Sequence, residues 1–322
     1  MYLITGGAGF IGSHIVEELI RYQQEVRVLD NFSSGTKRNL ENVIDRIELI
    51  EGDIRDPSDV QRAMKGVRYV LHQAALCSVP RSIEDPAYTN DVNVQGTLNI
   101  LLAARDAGVQ RVVYASSSSV YGESHLKVQE EDQRPFPISA YAVSKFAGEL
   151  YCRLFSRLHG LETVCLRYFN VFGPRQDPES QYAAVIPRFI LQALRGEPVE
   201  VHGDGLQSRD FTFVSDVVQA NLLAAKAPNV SGEVLNVGCG ETHPVMEIVF
   251  LLSKLLVTDI QWRKSAPRPG DIRRTQADIT KAKRLLGYDV EIEFKHGLAL
   301  TVKHLMTGFS AGSGTVLTEG AR

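Results

Sequence analysis

The chain has 322 residues, 44% of them hydrophobic, a formal net charge of −3 and four cysteines far apart in sequence. The apolar content suits one large or two ordinary globular domains, while the slight acidity and scattered basic residues leave no footprint for nucleic acid or an anionic membrane. The cysteine spacing fits neither a disulfide framework nor a zinc site, so no metal is expected and a reducing cytoplasm is the expected setting.

Short β-rich runs alternate with helical periods from the first residue. Strands are expected at residues 1–5, at "VRVLD" (26–30), at "IELIEGDI" (47–54) and at "YVLHQAA" (69–75). Helices are expected from Ser13, near 58–65 and over about 90–107. "RVVYASS" (111–117), a long helix over 139–159 and "ETVCLRYFN" (162–170) continue the pattern. Repeated βα units imply an α/β fold of the Rossmann type, a doubly wound parallel sheet with its sites at the carboxyl ends of the strands. After the turn-rich "NVFGPRQDP" come a helix near 183–195, strands "VEVHG" and "RDFTFV", and helices near 216–226, 245–256 and 295–306. The expected division is a first domain over 1–170, rejoined at about 215–240, a smaller α/β lobe over 171–306, and a Gly/Ser/Thr-rich disordered tail over 307–322. No signal peptide is expected, because the first residues already read as a strand, and the longest apolar run, "VMEIVFLLSKLLV", is too short to span a bilayer.

"TGGAGFIG" (5–12) lies between the first strand and helix, the context a dinucleotide fingerprint requires. Gly6 permits a tight turn, Gly9 a close approach of backbone to pyrophosphate, and Gly12 close helix–sheet packing. Asp30 ends the second strand where a carboxylate can take both ribose hydroxyls and repel a 2′-phosphate, which favours NAD over NADP despite Arg27, Lys37 and Arg38 nearby in sequence. In "YAVSK", Tyr141 and Lys145 are four apart on one helix face. A phenol serves as a base near neutral pH only if cations stabilise its phenolate, and an ammonium with a nicotinamide cation would do so.

These motifs, with "DN" at 30–31, "GDI" at 52–54, "HQAA" at 72–75, "NVQGT" at 93–97, "SSSSVYG" at 116–122, "RYFNVFGP" and "RDFTFV", resemble in order and kind the extended short-chain dehydrogenase/reductases. The resemblance is to the NAD-dependent sugar-nucleotide epimerase/dehydratase family, nearest its UDP-glucose and UDP-N-acetylglucosamine 4-epimerases, over residues 1 to about 306. It implies Tyr141 as base, Lys145 as the residue that orients the ribose and lowers the tyrosine pKa, and Ser117 as the hydroxyl that bonds the reacting sugar oxygen. It carries Gly6, Gly9, Phe10, Ile11, Gly12, Asp30, Asn31, Gly35, Asp53, Ile54, Ala74, Ala75, Asn93 and Tyr168 onto the cofactor. Ser118, Arg81, Asn170, Val185, Arg209, Arg268, Asp271 and Thr275 are carried onto a UDP-sugar, and a homodimer through the helices near 90–107 and 139–159 is implied. Dehydratases of the family resemble one another in an Asp-Glu pair, and decarboxylases in a Glu, within the segment that here reads Ser117, Ser118, Ser119 and Val120. Hydroxyls cannot act as elimination acid and base at their ordinary pKa, which points to 4-epimerisation. Glu123, Glu130 and Glu131 lie beyond this strand in a polar loop, where a solvated role is expected. Thr275 matches a gate whose small side chain leaves room for an N-acetyl group, and "SVPRSIEDP" and "YAAVIPRF" resemble N-acetylglucosamine epimerases. Alternatives are a UDP-glucuronate 4-epimerase using Arg81 or Arg273, a non-catalytic NAD sensor and a dehydrogenase that releases NADH. Cys77 departs from the lysine common in glucose epimerases.

Overall fold

The computed structural model describes residues 1–124, 126–179, 184–266 and 272–313. The first half runs β1 (Tyr2–Thr5), α1 (Phe10–Arg21), β2 (Val26–Asp30), β3 (Glu48–Glu51), α2 (Pro57–Met64), β4 (Tyr69–His72), α3 (Val79–Glu84), α4 (Pro86–Asn90), α5 (Gly96–Asp106), β5 (Arg111–Ser117), α6 (Ala140–His159) and β6 (Glu162–Tyr168). The second runs α7 (Val185–Leu194), β7 (Val199–His202), β8 (Ser208–Arg209), α8 (Val214–Lys226), β9 (Glu233–Val237), β10 (His243–Pro244), α9 (Val245–Leu255), β11 (Trp262–Ser265), α10 (Thr280–Leu286) and α11 (Phe294–Ser313).

Seven strands form one parallel sheet in the order β3-β2-β1-β4-β5-β6-β9. Strand side chains alternate between its two faces. Tyr2, Ile4, Val28, Val113 and Leu166 pack with Ile15, Val16 and Leu19 of α1 and Val217 of α8. Leu3, Leu29, Val112, Tyr114 and Cys165 pack on the opposite face with Val60 of α2, Ile100 of α5 and Cys152 and Phe155 of α6. Both faces are covered, so β2 is buried along its whole length, its Arg27 and Asp30 satisfied by hydrogen bonds. The long helix α6 is fixed at both ends. The Ser139 hydroxyl accepts the Ala142 N–H, and Gly160 ends it in the left-handed conformation.

A second lobe packs α7, α9 and α11 around β7 and β11, which pair in parallel, beside the antiparallel β8 and β10. Its core is aromatic: Phe172 meets Phe211, Phe213 and Phe294 edge-on, and Phe211 stacks on Phe294 with centroids 5.4 Å apart.

Three expectations change, and one strand, β11, was not expected. The helix expected over 90–107 is interrupted by a π-turn at Asp91–Gln95, which turns the Asn93 side chain toward the loop after β4. Of "RDFTFV" only Arg209 lies in a strand, the two-residue β8, because Asp210 and Thr212 donate single backbone bonds to different partners, Thr275 and Asn170. The strand β11, "WRKS", carries no apolar alternation because its side chains are largely exposed. Residues 307–313 continue α11 rather than forming a loose tail.

Asp216, in the first turn of α8, is fully buried. One carboxylate oxygen accepts the Glu291 N–H at 3.2 Å, and Oδ2 has no hydrogen-bond partner among the described residues. Burial, assisted by Glu291 and Asp289, pushes its pKa up to about 6. The folded state therefore holds this proton more tightly than the unfolded chain. The resulting stabilisation is complete below about pH 4 and is lost as pH rises through about 6. Asp216→Asn is expected to stabilise the fold by about 1–2 kcal/mol at pH 7.5 and to be nearly neutral at about pH 4, as read from urea melts.

Candidate active site

The turn from β1 into α1 is built by glycines. Gly6 has φ +68°, and a Cβ there would stand 2.7 Å from the Ala74 nitrogen. One on Gly12 would stand 2.1 Å from the Gly6 carbonyl oxygen. Above Gly9 the nearest atom is the Gly6 oxygen at 3.2 Å, which leaves the face over the first turn of α1 open to a ligand. Gly35 folds against this turn, where a Cβ would meet the Ala8 carbonyl carbon at 2.6 Å. The side chains of Phe10 and Ile11 pack toward the second lobe's core, so the group each can offer a phosphate is its backbone N–H.

Asp30 is buried at the end of β2. Its Oδ2 accepts the Ala8 N–H at 2.9 Å and its Oδ1 the Phe32 N–H at 2.8 Å, and burial raises its pKa. Each oxygen keeps a lone pair, enough for two adjacent ribose hydroxyls. Arg27 points away from this site: it donates to the carbonyls of Ala63 and Lys65 and pairs with Glu48. Lys37 pairs with Glu51. On the rim, Asn31 donates to Asp53, whose carboxyl the Arg55 guanidinium holds down at about 2. The Ile54 side chain belongs to the core, beneath Gly96. These residues fit a dinucleotide with an unphosphorylated ribose.

Beneath the turn, Thr5 Oγ1 bonds His72 Nδ1 at 2.6 Å and accepts the Ala74 N–H at 3.2 Å. Burial and Lys145 lower the His72 pKa to about 3, so the imidazole is neutral. Asn93 accepts the Leu76 N–H at 2.7 Å and donates to Ser144 of α6 at 3.0 Å, locking the loop that carries Ala75 and Cys77 against that helix. The Tyr168 hydroxyl is engaged by Gln73 and Asn221.

Ser117, Tyr141 and Lys145 converge at the carboxyl end of β5. Lys145 Nζ donates to the Ala115 carbonyl at 2.8 Å and lies 6.0 Å from the centre of the Tyr141 ring. The Tyr141 backbone N–H donates to Ser82 Oγ at 3.0 Å, which ties α3 to the start of α6. Burial raises the Tyr141 phenol above its ordinary value, the Cys77 thiol beside it raises it further, and a hydrogen bond with Ser117 opposes both. The lowering expected from Lys145 is therefore not produced by the chain alone. Burial outweighs it and also depresses the ammonium of Lys145. Of the serines, Ser116 donates to Glu149 inside the protein, while Ser117 Oγ accepts the Ser119 N–H at 3.1 Å. Ser118 is half-buried in the following turn. Glu131 is not a solvated loop residue: it is half-buried and accepts the Asn236 N–H at 2.8 Å.

In the second lobe a cavity of about 230 Å³ is lined by Asn170, Val185, Arg188, His202 and Arg209 among others. Asn170, at φ +29°, donates to the Asp210 carbonyl at 2.9 Å and to Thr275 Oγ1 at 3.3 Å. Thr275 thus lies beside Asn170, and its backbone pairs with Ser208 and Asp210. Arg81 sits on α3 with its guanidinium 5.9 Å from the centre of the Tyr88 ring, and Arg273 is held by Asp204. Arg268 and Asp271 lie outside the described residues. Sequence reasoning did not find Thr5, His72, Ser82 or Glu149, whose roles rest on contacts distant in sequence.

The profile of the NAD dependent epimerase/dehydratase family matches residues 2–238. A UDP-glucose 4-epimerase of Mycolicibacterium smegmatis is 37% identical over 94% of this chain and 97% of its own. A UDP-N-acetylglucosamine 4-epimerase of Methanobrevibacter ruminantium, solved with UDP-N-acetylmuramic acid, is 40% identical over 95% of this chain and 98% of its own, with a TM-score of 0.91. A UDP-glucose 4-epimerase of Thermus thermophilus, solved with NAD, is 38% identical over 95% and 98%, with a TM-score of 0.87. Decarboxylases and dehydratases acting on nucleotide sugars are also among the similar proteins. With the family profile matching most of the chain and relatives 37% and 40% identical along nearly all of it, the chain belongs to the NAD-dependent epimerase/dehydratase family.

Proposed function

We propose that the protein is a UDP-sugar 4-epimerase that interconverts UDP-N-acetylglucosamine with UDP-N-acetylgalactosamine and also accepts UDP-glucose and UDP-galactose. The observation that carries this reading is the site's inventory: a tyrosine, a lysine and serines meet at the end of β5, with hydroxyls at 117–119 where an elimination would need carboxylates.

Tyr141 takes the proton of the sugar's C4 hydroxyl, and Ser117, bonded to the phenol, holds that oxygen in line. NAD, held at the turn of Gly6 and Gly12 and by Asp30, would supply the hydride acceptor and donor and a positive charge near the phenol. Lys145, anchored on the Ala115 carbonyl, adds a fixed cation on the same side. Returning hydride to the other face of the 4-ketone and the proton to its oxygen gives the epimer with no net redox change. Asn170, Val185 and Arg209 line the cavity we assign to the UDP moiety, with Arg268 and Asp271 as further contacts. Small Thr275 leaves room at C2. Of the two arginines that a glucuronate carboxylate could use, Arg273 is engaged by Asp204, which leaves Arg81 for that reading.

The partner we infer is a second copy of the chain. Val143, Leu150, Leu154 and Leu158 leave an exposed apolar stripe along α6. We also infer a cytoplasmic setting from the dispersed cysteines. Among the described residues no helix is long and apolar enough to cross a membrane.

Proton NMR of the purified protein with UDP-N-acetylglucosamine, UDP-glucose or UDP-glucuronate is expected to show the galacto anomeric signal with the first two and no NADH absorbance; no turnover of the acetylated sugar would overturn the substrate assignment. Tyr141→Phe should lower kcat by about 10³-fold with little change in KM. Gly12→Ala, which drives a methyl into the Gly6 carbonyl, should leave the purified protein without bound NAD, read from its absorbance ratio and a cofactor cycling assay. Leu154→Glu should convert a dimer to a monomer in light scattering.

A further inference from the structure

The catalytic strand end is gripped from below by a buried polar assembly that the chemistry above does not use. Glu149 lies one turn past Lys145 on α6, and its side chain is 2% exposed. Its carboxylate accepts the Ser116 hydroxyl, Arg167 Nε at 2.8 Å and Arg167 Nη2 at 2.7 Å. Arg167, 3% exposed on β6, lies over the Tyr121 ring at 4.6 Å and donates to the Glu131 carbonyl at 3.3 Å. Tyr121 closes the turn that begins at Ser118 and donates to Asn236 at 2.6 Å. The same helix therefore holds the segment 115–117 twice, by Lys145 on the Ala115 carbonyl and by Glu149 on Ser116. Ser117, between this grip and the turn, has no freedom to shift along the strand without breaking one of them.

We propose that Glu149, with Arg167 and Ser116, is a positioning group that sets the reach between the Ser117 hydroxyl and the Tyr141 phenol. The proposal rests on the epimerase reading for its kinetic consequence. Folding alone would be served as well by packed apolar groups at both 149 and 167, since a buried ion pair is no better for stability than well-packed hydrocarbon. What the carboxylate adds is direction. It takes three donors at once from two strands and ties them to the helix that bears Tyr141, and because Arg167 neutralises it, the site gains no net charge that would oppose a phenolate. The UDP cavity lies in the other lobe, so a disturbance here should reach the reacting end and leave nucleotide binding intact.

The test uses NAD-loaded Ser116→Ala and Glu149→Asp proteins, the first removing one donor with little change in volume, the second keeping the charge but shortening its reach. The expected result is a kcat about ten- to a hundredfold lower with KM for the UDP-sugar unchanged. In protein labelled at the tyrosine ring carbon, the Tyr141 signal, assigned with Tyr141→Phe, should titrate about one pH unit higher, as Ser117 withdraws from the phenol. Folded variants that keep kcat within twofold, or that lose activity through KM, would overturn the proposal. Should Glu149→Asp not fold, Ser116→Ala decides alone. Should the parent protein make no epimer, the reading of its function fails, and the tyrosine titration still decides this one: an unchanged Tyr141 signal refutes it and a raised one upholds it.

Discussion

The structure depends on how one helix holds one strand. The parallel sheet brings the carboxyl end of β5 to the site, but a strand end is only as fixed as its last contacts, and here those come from α6. Lys145 reaches Ala115 and Glu149 reaches Ser116, so the helix bearing the phenol and the strand bearing Ser117 form one rigid unit. The loop after β4 is bound into it by Asn93 through Ser144, and α3 by Ser82 through the Tyr141 N–H. The dinucleotide turn joins from the other side through Thr5 and Ala74.

Within that unit the electrostatics are set by burial. The phenol is held neutral and the ammonium of Lys145 is depressed, the opposite of what a ready base would show. In the function proposed above, a phenol held neutral by burial ties the chemistry to the cation that the cofactor would bring. The neutral imidazole of His72 belongs to the same arrangement, because a second charge beside Lys145 would depress the ammonium further.

Much of this was legible in the sequence, for reasons that can be named. The glycine turn, Asp30 and the Tyr141–Lys145 pair are local: their geometry follows from a strand-to-helix turn or a single helical period, and the structure places them as the spacing requires. The parallel sheet was legible because short β-rich runs alternate with helical periods along the chain. What was not legible depends on contacts across the fold. The π-turn at Asp91–Gln95 follows from the pull of Leu76 and Ser144 on Asn93, which no periodicity records. Glu131 looked like loop charge because its partner, the Asn236 N–H, lies on β9. The strand β11 was hidden because it is an exposed edge strand with no core face to impose alternation.

The late return of β9 bears on how the chain is made. The sheet takes its last strand from Glu233–Val237, after α7, β7, β8 and α8 have intervened. While the chain emerges from a ribosome, β6 keeps an open edge until that segment is released, and the apolar faces of Leu166 and Val164 have no α8 to cover them. The first half therefore cannot complete its sheet ahead of the second lobe. The two lobes are committed to fold together, and a fragment ending near residue 170 would be an aggregation-prone intermediate rather than a free-standing dinucleotide-binding domain.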